Sequence, residues 1–349
     1  MNKRLISRIC NKMVWIRGCL GTMESYYKIS EWCEKKEREI QDDDKRKKKY
    51  RRIILIYSKL VSGKPFHTVK ESENEEIWEA INSGKLEKDY AKEISYIKRK
   101  NQLMLYPYEF MENYSVSEKQ VFSCNDCNLC YVFHNGKKLY FPKEEHKAIA
   151  DKYLQLIAEQ DKNSPHRYFQ DSIPKCDVFV DVGSAEGIIS LDAVENAGEI
   201  YLLECSRQWI KALEATFSAY KDKVHIIRKF AGSYDDENTI TLDSLLSKYR
   251  NKKIVIKMDI EGMELDALKG SKKIMIENDC LFSCTTYHTN SAFEELKEFF
   301  ENNDYLCKST TNYMLFIYGY MTLCNGKYQR MKYPYFRHGL IRAEKKMDS

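Results

Sequence analysis

The segment Val178–Gly187 constrains the fold of this chain more than any other part of the sequence. It reads Val-Phe-Val-Asp-Val-Gly-Ser-Ala-Glu-Gly, so an apolar strand leads into an acid, a glycine, three further residues and a second glycine. Glycine permits tight turns and a close approach of the backbone to a ligand. The pattern predicts a helix that begins at Ile188, and the unpaired N–H groups of a helix start can face a ligand. The segment therefore indicates a nucleoside-type site at a strand-to-helix turn, or the same turn without a ligand.

A second acidic residue follows at the distance expected for a ribose contact. Glu204 comes after Asp181 in the chain and directly follows the apolar segment Ile200–Leu203. An acid roughly 20 residues past the first turn, at the end of the next strand, is placed to accept hydrogen bonds from the two ribose hydroxyls. The dinucleotide fingerprint G-x-G-x-x-G is absent, because Ser184, Ala185 and Glu186 separate Gly183 from Gly187. The loop therefore predicts a nucleoside ligand that lacks a pyrophosphate.

From about residue 175 the sequence alternates between apolar segments of strand length and amphipathic segments of helix length. The predicted strands are 178–182, 200–203, 224–228, 254–258, 282–287 and 314–318, and the predicted helices are 188–197, 207–219, 241–249, 264–277 and 291–302. Such alternation predicts an α/β fold with a doubly wound, mostly parallel, Rossmann-like sheet. The last strand follows a further strand near Leu306, which predicts an antiparallel hairpin at the sheet edge.

The sequence before this sheet predicts a helical region followed by a small hairpin. The expected division is 1–105 (charged and helical, with a helix over 74–104), 106–174 (a hairpin and a helix that could form a lid), 175–320 (the sheet domain) and 321–349 (a C-terminal extension). Asn135-Gly136 stands between the apolar segments 131–133 and 139–141, which is a strong hairpin signal. Pro142 is expected to start the helix that follows, and Ser164-Pro165 is expected to end it.

Composition sets limits on the class of protein. The chain has 349 residues and a formal net charge of +5, which is too mild to indicate a nucleic-acid partner. It contains no apolar run of the ~18 residues that a membrane span needs. The N-terminus shows no signal-peptide pattern. The 12 cysteines of the chain are therefore expected to be reduced thiols in a cytoplasmic protein.

The segment 1–60 leaves a membrane contact open. A basic run, 45–52, precedes a short apolar segment, and residues 5–20 place apolar side chains on one helical face. These patterns fit packed helices with a solvated charged face. They also fit a peripheral contact with anionic lipid.

Ionisable residues follow two of the predicted strands. Lys257, Asp259 and Glu261 alternate at the end of one apolar strand, and Tyr287 and His288 follow the next. Ligands of an open α/β sheet bind beyond the carboxyl ends of its strands. A histidine there can act as a general base or as a structural hydrogen-bonding group, and the three alternating charges could also form an ion-pair network.

These segments resemble the FkbM-type methyltransferase family over about residues 175–318. The residues that carry the resemblance are Asp181–Gly187, Glu204, Thr241–Asp243, Ile256–Glu264, Leu268–Gly270 and Tyr287–His288. The most specific element is Lys-x-Asp-x-Glu-Gly followed by Leu-x-Gly. The resemblance implies a class I methyltransferase sheet that uses S-adenosylmethionine to methylate hydroxyls of sugars, polysaccharides or natural products.

The resemblance also implies roles for individual residues. The implied cofactor-binding residues are Asp181, Gly183, Ser184, Glu186, Gly187, Glu204, Phe230 and Ala231, the last two lining the adenine. Asp259, Lys257 and His288 would be catalytic, with His288 or Asp259 as the base, and Glu261 and Tyr287 would bind the substrate, a glycan or small-molecule hydroxyl acceptor. The segment 164–168 could cap the site or only end a helix, and the residue types of Thr241 and Asp243 predict a helix cap.

Cys124, Cys127 and Cys130 form a separate feature at x2-x2 spacing. With His134 four residues further on, they could bind a metal. The spacing also fits reduced structural thiols beside a hairpin, which is the favoured interpretation, and the family resemblance predicts no metal here.

Two other functions remain open on the sequence. A nicotinamide-dependent dehydrogenase uses a similar sheet, although the missing fingerprint argues against it. A non-catalytic, membrane-associated scaffold would use the segment 1–60 instead.

Overall fold

The structure is a computed structural model that describes residues 66–115, 119–316, 323–324, 327–328 and 332–346. The chain divides into two compact units. One comprises Met1–Lys85 and Ile317–Lys332, and the other comprises Leu86–Phe316 and Tyr333–Ser349. The predicted membrane contact through residues 1–60 lies outside the described residues. In the described parts, no helix has the length and apolar character needed to cross a bilayer.

The described elements are as follows. The helices are α1 (Phe66–Asn82), α2 (Ala91–Lys100), α3 (His146–Glu159), α4 (Ile188–Ala193), α5 (Arg207–Thr216), α6 (Leu242–Leu245), α7 (Glu264–Lys269), α8 (Lys272–Glu277) and α9 (Ala292–Glu301). The strands are β1 (Phe122–Cys124), β2 (Leu129–His134), β3 (Lys137–Pro142), β4 (Cys176–Val182), β5 (Ala197–Leu203), β6 (Val224–Ile227), β7 (Phe230–Ala231), β8 (Thr239–Ile240), β9 (Lys253–Met258), β10 (Asp279–Thr285), β11 (Tyr305–Ser309), β12 (Tyr313–Leu315), β13 (Leu323–Cys324), β14 (Lys327–Tyr328), β15 (Phe336–His338) and β16 (Leu340–Lys345).

A seven-stranded sheet with the order β11-β16-β10-β9-β4-β5-β6 dominates the larger unit. The pairs from β10 through β9, β4 and β5 to β6 are parallel. β16 is antiparallel to both of its neighbours, β10 and β11. The sequence prediction of an α/β fold with a mostly parallel, doubly wound sheet is therefore confirmed.

Alternate residues of the central strand β4 pack against opposite faces of the sheet. Val178, Val180 and Val182 belong to one buried cluster, which also contains Phe282. Phe179 belongs to a second buried cluster on the other side. A strand covered on both faces needs an unbroken apolar run, which is the pattern that made β4 readable in the sequence.

The predicted antiparallel strand is in the wrong place. Tyr313–Leu315 pairs with Phe336–His338 in a separate ribbon, and β16 from the predicted C-terminal extension enters the sheet instead. Leu340–Lys345 carries three charged residues, so it reads as a solvated tail, whereas the continuous apolar segment 314–318 reads as a strand. Residues 340–345 form a strand because they pair with β10 and β11, and this long-range pairing cannot be predicted from the local sequence.

Several predicted helices are shorter or divided, and α4 and α5 end at Ala193 and Thr216 instead of at residues 197 and 219. The helix predicted over 74–104 is interrupted between α1 and α2, where Gly84 has a φ of +74°. The helix over 264–277 is two helices, α7 and α8, and that over 241–249 is the short α6. The hairpin is confirmed: Asn135 and Gly136 have φ values of +49° and +77°, as its two-residue turn requires.

The cysteine cluster differs from both expectations. Cys124 and Cys127 form a disulfide, with Cα atoms 5.7 Å apart, and Cys130 is a buried free thiol. The expectation of reduced thiols is therefore wrong for the first two, because the turn before β2 brings their sulfurs together. The ring of His134, the suggested fourth ligand, is hydrogen-bonded to the Tyr153 hydroxyl at 3.0 Å and to Asp192 at 2.9 Å.

Candidate active site

The loop after β4 needs both of its glycines. Gly183 has a φ of +79°, and a Cβ there would lie 2.0 Å from the carbonyl oxygen of Asp259. Gly187 has a φ of +75°, and its Cβ would lie 2.6 Å from Leu213. Helix α4 begins at Ile188, as predicted. The loop is thus held close to the end of β9 on one side and to α5 on the other.

Glu204, at the end of β5, holds this loop in shape. Its carboxylate accepts hydrogen bonds from the backbone N–H groups of Ala185 (2.9 Å), Cys205 (2.8 Å) and Ser206 (2.7 Å). The Ala185 bond stabilises a non-glycine residue with a φ of +43°. A carboxylate offers about four acceptor positions, so one stays available for a ligand hydroxyl.

Asp181 and Lys257 form a buried ion pair under the loop. The Lys257 Nζ lies 2.9 Å from the Asp181 carboxylate and donates to the carbonyl of Gly183 at 2.6 Å. Ser190 donates to the same carboxylate at 2.6 Å. Although burial lowers the pKa of Lys257, the neighbouring Asp181 and Asp259 raise it above its ordinary value. The lysine is therefore a fixed cation that joins β9 to the glycine loop.

A cleft of about 220 Å³ opens above this pair. We call it the acidic cleft, because five carboxylates contribute to its lining: Glu159, Asp181, Glu186, Asp259 and Glu261. His166, Tyr168, Tyr287 and Ser184 line it as well. Among the described residues that line the cleft, Lys257 is the single lysine.

Burial changes the protonation of two of these acids. Burial raises the pKa of Glu159 to about 8 and that of Glu186 to about 7. Nearby carboxylates act in the same direction on both groups. The cleft therefore keeps protons that a bound positive charge would displace, since a cation stabilises ionised carboxylates.

Asp259 lies between two histidines. Its Oδ2 accepts a hydrogen bond from the Tyr168 hydroxyl at 2.7 Å and lies 3.7 Å from Nε2 of His166. Its Oδ1 lies 3.5 Å from Nε2 of His288. Burial acts to raise the pKa of Asp259, but His288 and Lys257 hold it below its ordinary value. The group is thus an anion in the wall of the cleft.

His288 is surrounded by carboxylates. Glu261 lies 3.6 Å from its Nε2 and Glu264 lies 3.3 Å from its Nδ1, in addition to Asp259. Burial opposes the charge, but Glu261 and the hydrogen-bonded Glu264 raise the pKa of His288 to about 9. The ring is therefore a cation near neutral pH, which does not suit the proton-accepting role predicted for it.

Asp259, Glu264 and His288 also stand close enough to share one metal ion. Glu264, however, already accepts from the N–H of Ile260 at 3.0 Å and from the Thr285 hydroxyl at 2.9 Å. Its hydrogen bonds within the protein account for its position. The arrangement acts as a support for the His288 ring, and we assign no ion to it.

Other predicted site residues are distributed unevenly. Glu261 and Tyr287 line the cleft, as a substrate contact requires. Phe230 and Ala231 do not line it: they pair with β8, and Ala231 is buried in the core. Thr241 caps α6 by accepting the N–H of Ser244 at 3.1 Å, as predicted.

Asp243 acts at a different helix from Thr241. Its carboxylate accepts the N–H groups of Lys273 and Ile274 and so caps α8. The N–H of Asp243 in turn donates to the carbonyl of Gly270 at 2.9 Å. Two segments that carry the family resemblance, Thr241–Asp243 and Leu268–Gly270, are therefore in contact in the structure.

Two functional candidates were missed by the sequence analysis. His166 and Glu159 line the cleft, and His166 is only 3% exposed. His166 lies within the segment 164–168 that was singled out as a possible cap, but Glu159 carried no signal because it ends an ordinary amphipathic helix.

The order of the sheet, with one antiparallel strand between β10 and β11, and a glycine loop at its carboxyl edge define a class I methyltransferase fold. A family model described as the methyltransferase FkbM domain matches residues 89–307. The chain therefore belongs to the FkbM methyltransferase family, whose members use S-adenosylmethionine.

Similar solved structures were also found. One is a methyltransferase FkbM from Methylobacillus flagellatus, with 16% identity, a TM-score of 0.39, and coverage of 55% of this chain and 54% of that chain. This chain thus spans about half the length of that protein. Another is a precorrin-6y C5,15-methyltransferase from Geobacter metallireducens, with 14% identity, a TM-score of 0.34, and coverage of 59% and 94%. Comparison with curated protein sequences finds no match.

Proposed function

We propose that this protein is an S-adenosylmethionine-dependent O-methyltransferase acting on a hydroxyl of a sugar, a polysaccharide or a natural product. The observation that carries the proposal is the acidic cleft at the carboxyl ends of β4 and β9. It lies beside the glycine loop and combines Gly183 with five carboxylates and one already paired lysine.

The charge of the cleft fits the cofactor. S-adenosylmethionine has a net positive charge from its sulfonium and ammonium groups, and carboxylates such as Asp181 and Glu186 would surround them. The open acceptor position on Glu204 would receive a ribose hydroxyl. A nicotinamide dinucleotide would bring a doubly charged pyrophosphate toward the same carboxylates, and like charges at close range cost several kcal/mol.

The described residues suit a methyl transfer in which the protein aligns the reactants and forms no covalent intermediate of its own. When bound, the cofactor would supply an activated methyl group on its sulfonium. The protein must then orient the acceptor oxygen and exclude water. Asp259, with Tyr168 donating to it, lies in the wall of the cleft where it can accept a hydrogen bond from an acceptor hydroxyl.

Calorimetric titration with S-adenosylhomocysteine, S-adenosylmethionine and NAD tests the cofactor. We expect micromolar binding of the two adenosyl ligands and no binding of NAD. Glu186→Gln and Glu204→Gln should weaken binding at least tenfold. Glu199→Gln removes a carboxylate outside the cleft and should leave affinity unchanged. NAD binding, or no binding by the folded protein, would overturn the proposal.

The acceptor needs a second experiment. Transfer of a labelled methyl group from S-adenosylmethionine to a panel of glycans and hydroxylated natural products should give an ether product. A product methylated only on nitrogen or carbon would contradict O-methylation while leaving the cofactor assignment intact.

A cytoplasmic location, the absence of a nucleic-acid partner and a membrane contact through residues 1–60 stay predictions.

A further inference from the structure

We propose that His166 and Glu159 together take up the proton of the acceptor hydroxyl. His166 Nε2 is the proton acceptor, and Glu159 is a positioning residue that stabilises the resulting imidazolium through Nδ1. The proposal rests on the proposed O-methyltransferase function and names a residue pair for its proton transfer.

His166 is placed at the acceptor side of the acidic cleft. Its Nε2 lies 3.2 Å from the Tyr287 hydroxyl and 3.7 Å from the Asp259 carboxylate. Its backbone N–H donates to the Ser164 hydroxyl at 3.1 Å, which fixes the segment before β4. A hydroxyl oriented by Asp259 would therefore lie within reach of this ring nitrogen.

The other ring nitrogen explains the pairing with Glu159. Nδ1 of His166 is buried and has no hydrogen-bond partner in the described structure. The closest carboxylate oxygen is Oε2 of Glu159, at 3.9 Å. Buried polar atoms without partners are rare and call for an explanation. Hydrogen bonds between catalytic groups are often long before the substrate binds and shorten in the complex.

Glu159 is oriented for this contact. Gln155, one turn earlier in α3, donates to its Oε1 at 2.9 Å, and its Oε2 lies 3.9 Å from Nδ1 of His166. The buried Tyr106 side chain is hydrogen-bonded to the same carboxylate. Burial raises the pKa of Glu159 to about 8, and a bound cationic cofactor would favour its ionised form. The ionised carboxylate facing Nδ1 then selects the tautomer with the hydrogen on Nδ1, which leaves a lone pair on Nε2. The same carboxylate then stabilises the imidazolium, as in other His–carboxylate pairs.

The two histidines beside Asp259 have opposite charge states. Burial lowers the pKa of His166 to about 4, and the nearby His288 and Lys257 act in the same direction against Asp259. The carboxylates around His288 raise its pKa to about 9. Pairs of groups whose environments separate their pKa values identify acid and base partners. His166 is the neutral ring of the two, and only a neutral ring can accept a proton.

The proton-transfer step balances within the site. The acceptor O–H bond breaks as an N–H bond forms at Nε2 of His166. The acceptor oxygen forms a bond to the methyl carbon, and the electron pair of the broken carbon–sulfur bond stays on the sulfur. The imidazolium, held by Glu159, later returns its proton to water.

Nitrogen-15 NMR of histidine-labelled protein saturated with S-adenosylhomocysteine tests the pair without an acceptor. The chain has seven histidines, and His166→Asn identifies the signal by its loss. At pH 9, above the pKa of Glu159, we expect a neutral ring with its hydrogen on Nδ1. Glu159→Met removes the acceptor oxygen at similar volume and should shift the ring toward the Nε2–H tautomer. A protonated His166, an Nε2–H tautomer, or no change in Glu159→Met would overturn the proposal.

Turnover supplies the second measurement. With the acceptor found in the glycan panel, His166→Asn should lower kcat at least 100-fold, while S-adenosylhomocysteine affinity stays within threefold. His225→Asn is the matched control, since His225 pairs with Glu199 outside the cleft. Undiminished turnover in His166→Asn would overturn the proposal. Lack of cofactor binding by the wild-type protein would instead refute the proposed function, so the two failures are distinguishable.

Discussion

Asp181 and Lys257 lie opposite each other in register on the neighbouring strands β4 and β9, and their charged groups meet 2.9 Å apart in the buried interior. The same lysine holds the carbonyl of Gly183. One side chain therefore links β9 with both β4 and the glycine loop. We therefore expect substitutions in this pair to lower the free energy of unfolding of the protein.

Removing one member of the pair leaves an uncompensated buried charge. We expect Asp181→Asn to lower the free energy of unfolding by about 3–5 kcal/mol. The double variant Asp181→Asn, Lys257→Met removes both charges and should recover most of that loss. Urea unfolding of the wild type, the single variants and the double variant measures the coupling. Additive losses in the double variant would show that the pair does not act as a unit.

Gly183→Ala separates backbone strain from a steric clash. Gly183 and Gly136 have nearly equal φ values, +79° and +77°, but a Cβ at Gly136 meets nothing within 4 Å. Both alanine variants should lose about 1 kcal/mol from the positive φ. Gly183→Ala should lose about 2 kcal/mol more, a cost typical of overpacking, because its Cβ would enter the space of the Asp259 carbonyl. Equal losses in the two variants, measured by urea unfolding, would contradict this contact.

Glu159 makes the stability of the free protein depend on pH. Its pKa is about 8 in the folded state against an ordinary 4.5, so the folded protein keeps a proton that the unfolded chain releases. Stability should therefore fall as pH rises from about 4.5 to 8 and level off above that. Glu159→Gln should match the wild type at pH 5 and exceed it by about 1–3 kcal/mol at pH 8. Glu145→Gln, an exposed carboxylate beside the same helix, is the control.

The antiparallel strand β16 is expected to be as important for stability as the parallel strands. Ile341 in β16 is fully buried, whereas Leu306 in the neighbouring strand β11 is 49% exposed. Ile341→Ala should lower the free energy of unfolding by about 2–5 kcal/mol, and Leu306→Ala should change it by less than about 0.5 kcal/mol. A small effect of Ile341→Ala would show that β16 contributes little to the sheet.

Features recorded in short stretches of sequence were predicted well. The apolar runs of β4, β5, β9 and β10 and the turn Asn135-Gly136 are local patterns, and each element forms close to its predicted position. The glycine loop was also predicted, because Gly183 and Gly187 meet a backbone requirement that other residues cannot meet cheaply.

Features that depend on distant pairing were not predicted. The half-charged β16 becomes a strand only through hydrogen bonds to β10 and β11. Glu159 and His166 approach the cleft from a helix and a loop that precede the sheet, so their distance in sequence from Asp259 hides the contact. His288 was identified as an ionisable group at the strand ends, but its charge state follows from three carboxylates that only the fold assembles.

The placement of β16 has a practical consequence for dissecting this protein. The family match ends at residue 307, before β16 begins at Leu340. A fragment cut at that limit would keep the glycine loop but leave β10 and β11 with unpaired backbone groups along their facing edges. Exposed strand edges recruit strands from other molecules. Such a fragment is expected to aggregate edge to edge, so expression boundaries should follow the completed sheet.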